Sequence, residues 1–204
     1  MSTVIFKGLR GRFDVCVIDP PWRFVNFSAK GHRKGAAHHY KTMSLDDIKA
    51  LPVAKLARRR GMLILMWTTG WMMAKGWAAD VVRAWGAEPQ SEIVWPKMTV
   101  GGKMRFGPGY RVRTRHEPIL VATIGNPKRC PLPSVIAGIA REHSRKPDEF
   151  YATVKGLTPG QRRCNIFSAG YSHPGFIGWG RPHSATKQQN KSRHHKKAGR
   201  VDKP

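Results

Sequence analysis

An α/β layer architecture around a mostly parallel sheet is predicted for this 204-residue chain by three observations. Short apolar runs alternate with segments of helical spacing, the order that a parallel sheet with covering helices requires. The first apolar run stops at paired prolines, at the kind of strand end where such sheets carry their ligands. The length suits one sizeable core and little more. We expect one domain over residues 1–182 and a basic tail over 183–204.

Each element has its own signal. Residues 13–18 (FDVCVI) are apolar and β-branched, a buried strand that Asp19-Pro20-Pro21 ends because proline cannot donate to a ladder. Ser44 and Asp47 stand at capping-box spacing and open a helix carrying Ile48, Leu51 and Leu56, which Pro52 interrupts or kinks. Residues 62–67 (MLILMW) form a second buried strand. Met73, Trp77, Val81 and Trp85 recur at every fourth position, which predicts one helix from residue 70 to 85, ended by Gly86. Residues 92–95 and 118–124 read as further strands. Pro147, Asp148 and Glu149 mark the start of a helix over 146–155, and 164–167 is a last strand. The intervals 24–40 and 97–116 show no period; long loops of this kind commonly border a substrate.

Charge narrows the function. The 37 Lys and Arg against 12 Asp and Glu leave a net charge of +25, which calls for a polyanionic partner. No apolar run approaches the roughly 20 residues of a membrane-spanning helix, and no signal-peptide pattern opens the chain, so a cytoplasmic protein is expected. Residues 185–204 carry seven Lys or Arg and one Asp, too polar to form a core and expected to be disordered alone. Cys16, Cys130 and Cys164 are odd in number and widely spaced, so neither a disulfide framework nor a metal site is predicted. The paired histidines at 38–39 and 194–195 lack Cys partners or HExxH spacing and read as basic loops.

Asp19-Pro20-Pro21-Trp22 carries the chemistry. The exocyclic amine of adenine or cytosine is a poor nucleophile because its lone pair is delocalised into the ring. Two acceptors can hold its hydrogens and orient the nitrogen. Asp19 supplies a carboxylate, Pro20 a carbonyl on a backbone stiffened by Pro21, and Trp22 an aromatic face for a flipped base. Asp-Pro pairs also form plain turns, and Trp22 also reads as core.

The wider chain resembles the MT-A70 family of adenine-N6 methyltransferases. The matching segments are DPPW at Asp19, YKTMSLDDI at residues 40–48, LILMWTT at 63–69, AWG at Ala84, HEPILV at His116, HSRKPDEFY at His143 and NIFSAGYSHPG at 165–175. They follow family order over residues 13 to 180. The resemblance implies a circularly permuted, Rossmann-like methyltransferase dependent on S-adenosylmethionine, its central sheet flanked by helices, with the catalytic loop ahead of the cofactor-binding strand. It implies that Asp19, Pro20, Pro21 and Trp22 are catalytic and that Lys146 meets the cofactor's carboxylate, with Phe167 and Gly180 beside the cofactor. Tyr40, His116 and Glu117 fall on the substrate side. The chain departs from the family at Trp179-Gly180-Arg181-Pro182, where Trp-Gly-Asn is usual, and at residues 168–171, where an Arg-rich turn is usual.

The implied activity is methylation of adenine N6 in DNA, site-specific or relaxed in target. A bacterial or phage enzyme is implied, working in the cytoplasm (the host's, for a phage) as a homodimer or with a second methyltransferase-like subunit. RNA adenine, the cytosine amine and a catalytically decayed nucleic-acid-binding protein are the alternatives.

Overall fold

The first strand, β1 (Val15–Ile18), is buried at all four positions, as expected of an interior strand covered on both faces. The computed structural model describes residues 6, 8, 9, 11–23, 42–107, 111–142, 144–168, 171 and 173–180. Tyr40, the interval 24–40, Arg181-Pro182 and the tail 183–204 lie outside them.

Past the Asp-Pro-Pro-Trp segment, α1 (Leu45–Lys49) begins with the predicted capping box. The Ser44 hydroxyl accepts from the Asp47 amide at 3.1 Å and donates to its carboxylate at 2.7 Å. Pro52 ends this helical stretch, and a short 3-10 turn, Val53–Leu56, follows. β2 (Gly61–Trp67) is buried at all seven positions.

The single helix expected from residue 70 to 85 is two. α2 (Gly70–Ala74) is capped by the Thr69 hydroxyl, and α3 (Trp77–Ala84) starts after Gly76, whose φ of 72° is left-handed. A left-handed residue cannot continue an α-helix, so the four-residue spacing survives while the helix breaks. β3 (Glu88–Met98) outruns its predicted core at both ends, because exposed polar residues still pair in its ladder. β4 (His116–Gly125) follows, then β5 (Gly138–Ile139), a two-residue edge too short to announce itself. α4 (Asp148–Leu157) starts two residues later than expected, leaving Lys146 ahead of it. The strand expected last is β6 (Arg163–Ile166), one residue earlier than expected, and it is not the last, because β7 (Phe176–Trp179) pairs beyond it at the sheet edge.

The sheet order is β5-β3-β4-β2-β1-β6-β7. β1 pairs in parallel with β2 and β6, β6 with β7 and β3 with β5, whereas β4 runs antiparallel to both β2 and β3. Only β4 is reversed, so the sheet is mostly parallel as predicted. No helix lies between β3 and β4 among the described residues, and a connection without a crossover returns the chain antiparallel.

Both faces are covered. Cys16, Ile18, Ile64, Met66 and Leu120 pack toward Ile48, Met72 and Trp85 on the side of α1–α3. Val15, Val17, Leu65, Trp67 and Ile119 pack toward Phe150, Tyr151 and Val154 of α4. This is a three-layer α/β fold whose strand ends bring Asp19, Phe167 and Gly180 to one edge. Because β4 is reversed, its beginning, His116-Glu117, reaches the same edge.

Candidate active site

Asp19 follows β1 directly, and its amide still donates to the Ile166 carbonyl at 3.1 Å. Beyond it the prolines turn the chain. The Pro20 carbonyl accepts from the Trp22 amide at 2.8 Å, and the Pro21 carbonyl from the Met43 amide at 2.9 Å. One Pro20 lone pair is thereby used and a second remains for an incoming hydrogen.

Trp22 differs from its expected role. Its side chain is buried, only 5% of the residue being exposed, and its indole N–H donates to the Trp67 carbonyl at 3.1 Å. Apolar packing and this bond tie the end of the motif to the end of β2. The free protein therefore does not present Trp22 as an open stacking face, and the core reading describes it better.

Lys146 is the hub of the site. Its ammonium lies 3.2 Å from Asp19 Oδ2 and 3.0 Å from Glu117 Oε2, and 5.0 Å from the centre of the Trp67 ring. Lys97 at the end of β3 reaches Glu117 Oε1 at 2.5 Å. Asp19, Lys146, Glu117 and Lys97 thus form a line of alternating charge drawn from β1, the approach to α4, β4 and β3. Their side chains are 12–24% exposed, dry enough for the pairing to matter.

Burial pushes the Asp19 carboxyl up, the nearby Glu117 adds to the rise, and Lys146 and Lys97 offset only part of it, leaving a pKa of about 6. Burial also pushes Glu117 up, but Lys146 and Lys97 together outweigh it and hold Glu117 at about 2. Burial would lower Lys146, yet its two carboxylates raise it well above the ordinary lysine range. Of the two carboxylates, Asp19 is the more easily protonated.

The other expected residues divide. Glu117 joins the cluster. His116 does not: it is exposed, and alternation along β4 sends it to the opposite face from Glu117. Phe167 and Gly180 meet each other. The Phe167 amide donates to the Trp179 carbonyl at 2.7 Å, and Phe167 takes a left-handed φ of 61°, uncommon for a bulky residue. Gly180 has φ of 133°, and a Cβ there would stand 3.0 Å from Phe167 Cα. Only glycine fits this approach of the β6 and β7 ends. Gly180→Ala should cost about 1–3 kcal/mol of stability and loosen this edge, read as a lower midpoint in urea unfolding.

Sequence reasoning missed Lys97, Trp67 and Asn165. Lys97 was assigned to a loop, yet it follows Trp95 by two residues on a strand whose Trp95 pairs with Glu117. Extending β3 by one alternation would have found it. Trp67 closes β2 beneath Lys146. Asn165 is buried on β6, where Tyr151 donates a long 3.5 Å bond to its Oδ1, while its Nδ2 has no hydrogen-bond partner among the described residues. Among the described residues, no three His, Cys, Asp or Glu side chains gather as a metal site would.

The residues present fit S-adenosylmethionine on two observations. An ammonium has three N–H donors, of which Asp19 and Glu117 engage two, so Lys146 can take a third carboxylate. The buried Asn165 amide offers an unspent donor.

A mixed, mostly parallel sheet covered on both faces, with a charged cluster at its carboxyl edge, is a fold that S-adenosylmethionine-dependent methyltransferases use. The family model for MT-A70 matches residues 13–182, and the chain belongs to that family. It is 32% identical over 182 residues to the N(6)-adenosine-methyltransferase MT-A70-like protein of Drosophila melanogaster, covering 85% of this chain and 25% of that protein. It is 31% identical over 182 residues to the human N(6)-adenosine-methyltransferase catalytic subunit METTL3, covering 85% and 26%. To the N6-methyladenosine RNA methyltransferase MTA1 of Pyricularia oryzae it is 32% identical over 180 residues, covering 82% and 46%. The chain therefore spans between a quarter and a half of these relatives' own lengths. No helix among the described residues is long and apolar enough to cross a membrane.

Proposed function

We propose that this protein transfers a methyl group from S-adenosylmethionine to the N6 amine of adenine in nucleic acid. The observation that carries the reading is Asp19, an acceptor beside Lys146 at the end of β1, followed by the stiffened Pro20 carbonyl. When bound, the cofactor supplies an electrophilic methyl on a sulfonium.

The chain's own residues do the rest by positioning. Lys146 grips Asp19 Oδ2, which leaves Oδ1 for one amine hydrogen, and the free lone pair of the Pro20 carbonyl takes the other. Holding both hydrogens turns the nitrogen lone pair toward the methyl. The nitrogen loses one proton as it gains the methyl group, and Asp19, with a pKa of about 6, can receive that proton and pass it to water. Glu117 and Lys97 hold Lys146 in place. Phe167 and Gly180 shape the wall at the ends of β6 and β7, where the cofactor would rest.

DNA is our expectation for the polymer: the strongly basic chain calls for a polyanion, and the basic stretch 185–204 suits sequence-independent association with DNA. RNA is the second reading, favoured by a relative whose name specifies RNA. A partner subunit is the corresponding proposal for assembly, because human METTL3 is named a catalytic subunit. Unmodified DNA and RNA incubated with isotopically labelled S-adenosylmethionine, digested and read by mass spectrometry, test the transfer and the polymer. Label in N6-methyldeoxyadenosine supports DNA, and label in N6-methyladenosine moves the substrate to RNA. Label on cytosine, or none from folded, cofactor-binding protein, overturns the proposal.

A further inference from the structure

The opposite end of the sheet carries a second concentration of charge. Arg12, Arg58, Arg59, Arg60 and Lys128 line a cleft of about 580 Å³ beside the first residues of β1 and β2, with Asp14 as the one acid among its lining residues. Asp14 is already engaged: Arg58 lies 3.3 Å from it, and it accepts from the Arg162 amide at 2.8 Å.

Two of the remaining cations are held in place by neutral groups. Arg12 donates to the Lys55 and Ala57 carbonyls at 3.1 and 3.0 Å, and Arg60 to the Asn126 carbonyl at 3.2 Å. Carbonyl anchors fix a guanidinium without cancelling its charge. The backbone below is equally constrained, since a Cβ on Gly61 would stand 2.2 Å from the Ile124 carbonyl oxygen. Arg59 and Lys128 are exposed at the rim.

We propose that this cleft is a second nucleic-acid site, one that grips the phosphodiester backbone away from the target base. It rests on the nucleic-acid part of the function proposed above. Several fixed cations with one spent acid suit a polyanion, and phosphate contacts of this kind fix register without reading sequence. From Asp14 to Asp19 is five residues of extended chain, about 17 Å, or about five nucleotides at the spacing of a duplex strand. A polymer held at both ends of the sheet must therefore flank its target adenine by at least that length.

The test is fluorescence anisotropy with a labelled single-stranded 30-mer and a 5-mer over a salt series. The protein is wild type and the Arg59→Ala/Lys128→Ala double variant, with thermal unfolding confirming the fold. On the 30-mer, the log-log salt slope should become shallower by about 1.4, two contacts at about 0.7 each for a single strand. Binding of the 5-mer should not change, and Arg59→Lys/Lys128→Arg should restore the slope. An unchanged slope on the 30-mer overturns the proposal. So does an equal loss on the 5-mer, which would put these residues at the target end. Binding is read without methyl transfer, so wild-type protein that binds the 30-mer yet labels no adenine would sink the transfer reading and leave this one standing.

Discussion

Asp19→Asn should abolish most methyl transfer, by about 100-fold to 1,000-fold in kcat, with cofactor binding changed only a few-fold. Asparagine keeps one acceptor oxygen but replaces the other with an NH2 that donates toward an amine which also donates. Lys146 retains Glu117 at 3.0 Å, so the variant should fold with a near-normal melting temperature. Single-turnover rates with saturating cofactor provide the measurement. Activity within tenfold of wild type would remove Asp19 from the chemistry.

The same residue sets an acid limb. Asp19 must be ionised to accept, so the rate should rise with pH and level off above about 6. The effect on stability has the opposite sign. With its pKa raised above the ordinary 3.8, Asp19 binds its proton more tightly in the folded state, and its contribution falls as pH rises from about 4 to 6. Glu117, lowered from 4.5 to about 2, contributes stability that is present above about 4.5 and lost as pH falls toward 2. The active ionisation state of Asp19 is thus held against its own burial by Lys146 and Lys97.

Lys146→Met should have the second large effect, and on two readouts at once. On the proposal that Lys146 meets the cofactor's carboxylate, losing that charge-assisted bond should weaken S-adenosylmethionine binding by about 10-fold to 100-fold, measured by calorimetry. Removing the ammonium also leaves burial and Glu117 to push Asp19 up unopposed on that side, so the acid limb of the surviving activity should move above pH 6. Breaking a buried pair costs about 3–5 kcal/mol when both partners are dry. These carboxylates are 21% and 24% exposed, so a smaller loss is expected, and denaturant unfolding will measure it. Weakened cofactor binding with an unmoved acid limb would separate Lys146 from Asp19.

Local signals carried much of this fold. The end of β1 at Asp19, the Ser44 cap and the stop at Gly86 each depend on a few adjacent residues whose own backbone chemistry decides the outcome. The approach to α4 was legible for the same reason, and Lys146 with it, though the helix itself begins at Asp148. The resemblance pointed to Asp19, Glu117 and Lys146 as separate members of a site.

Tertiary structure decided what those residues do to one another. Asp19 and Lys146 are far apart in the chain, and no local spacing states that they meet at 3.2 Å with Glu117 on the other side. Lys97 entered because β3 runs on past Trp95, and His116 left because alternation turned it to the other face. Trp22 was drawn into the core by a carbonyl 45 residues away at the end of β2. Register and facing are set by pairing between distant strands, where a shift of one residue exchanges every side chain between the two faces. The sequence by itself determined where the chain turns and which chemical groups it carries; the packed sheet decided which of those groups share a site.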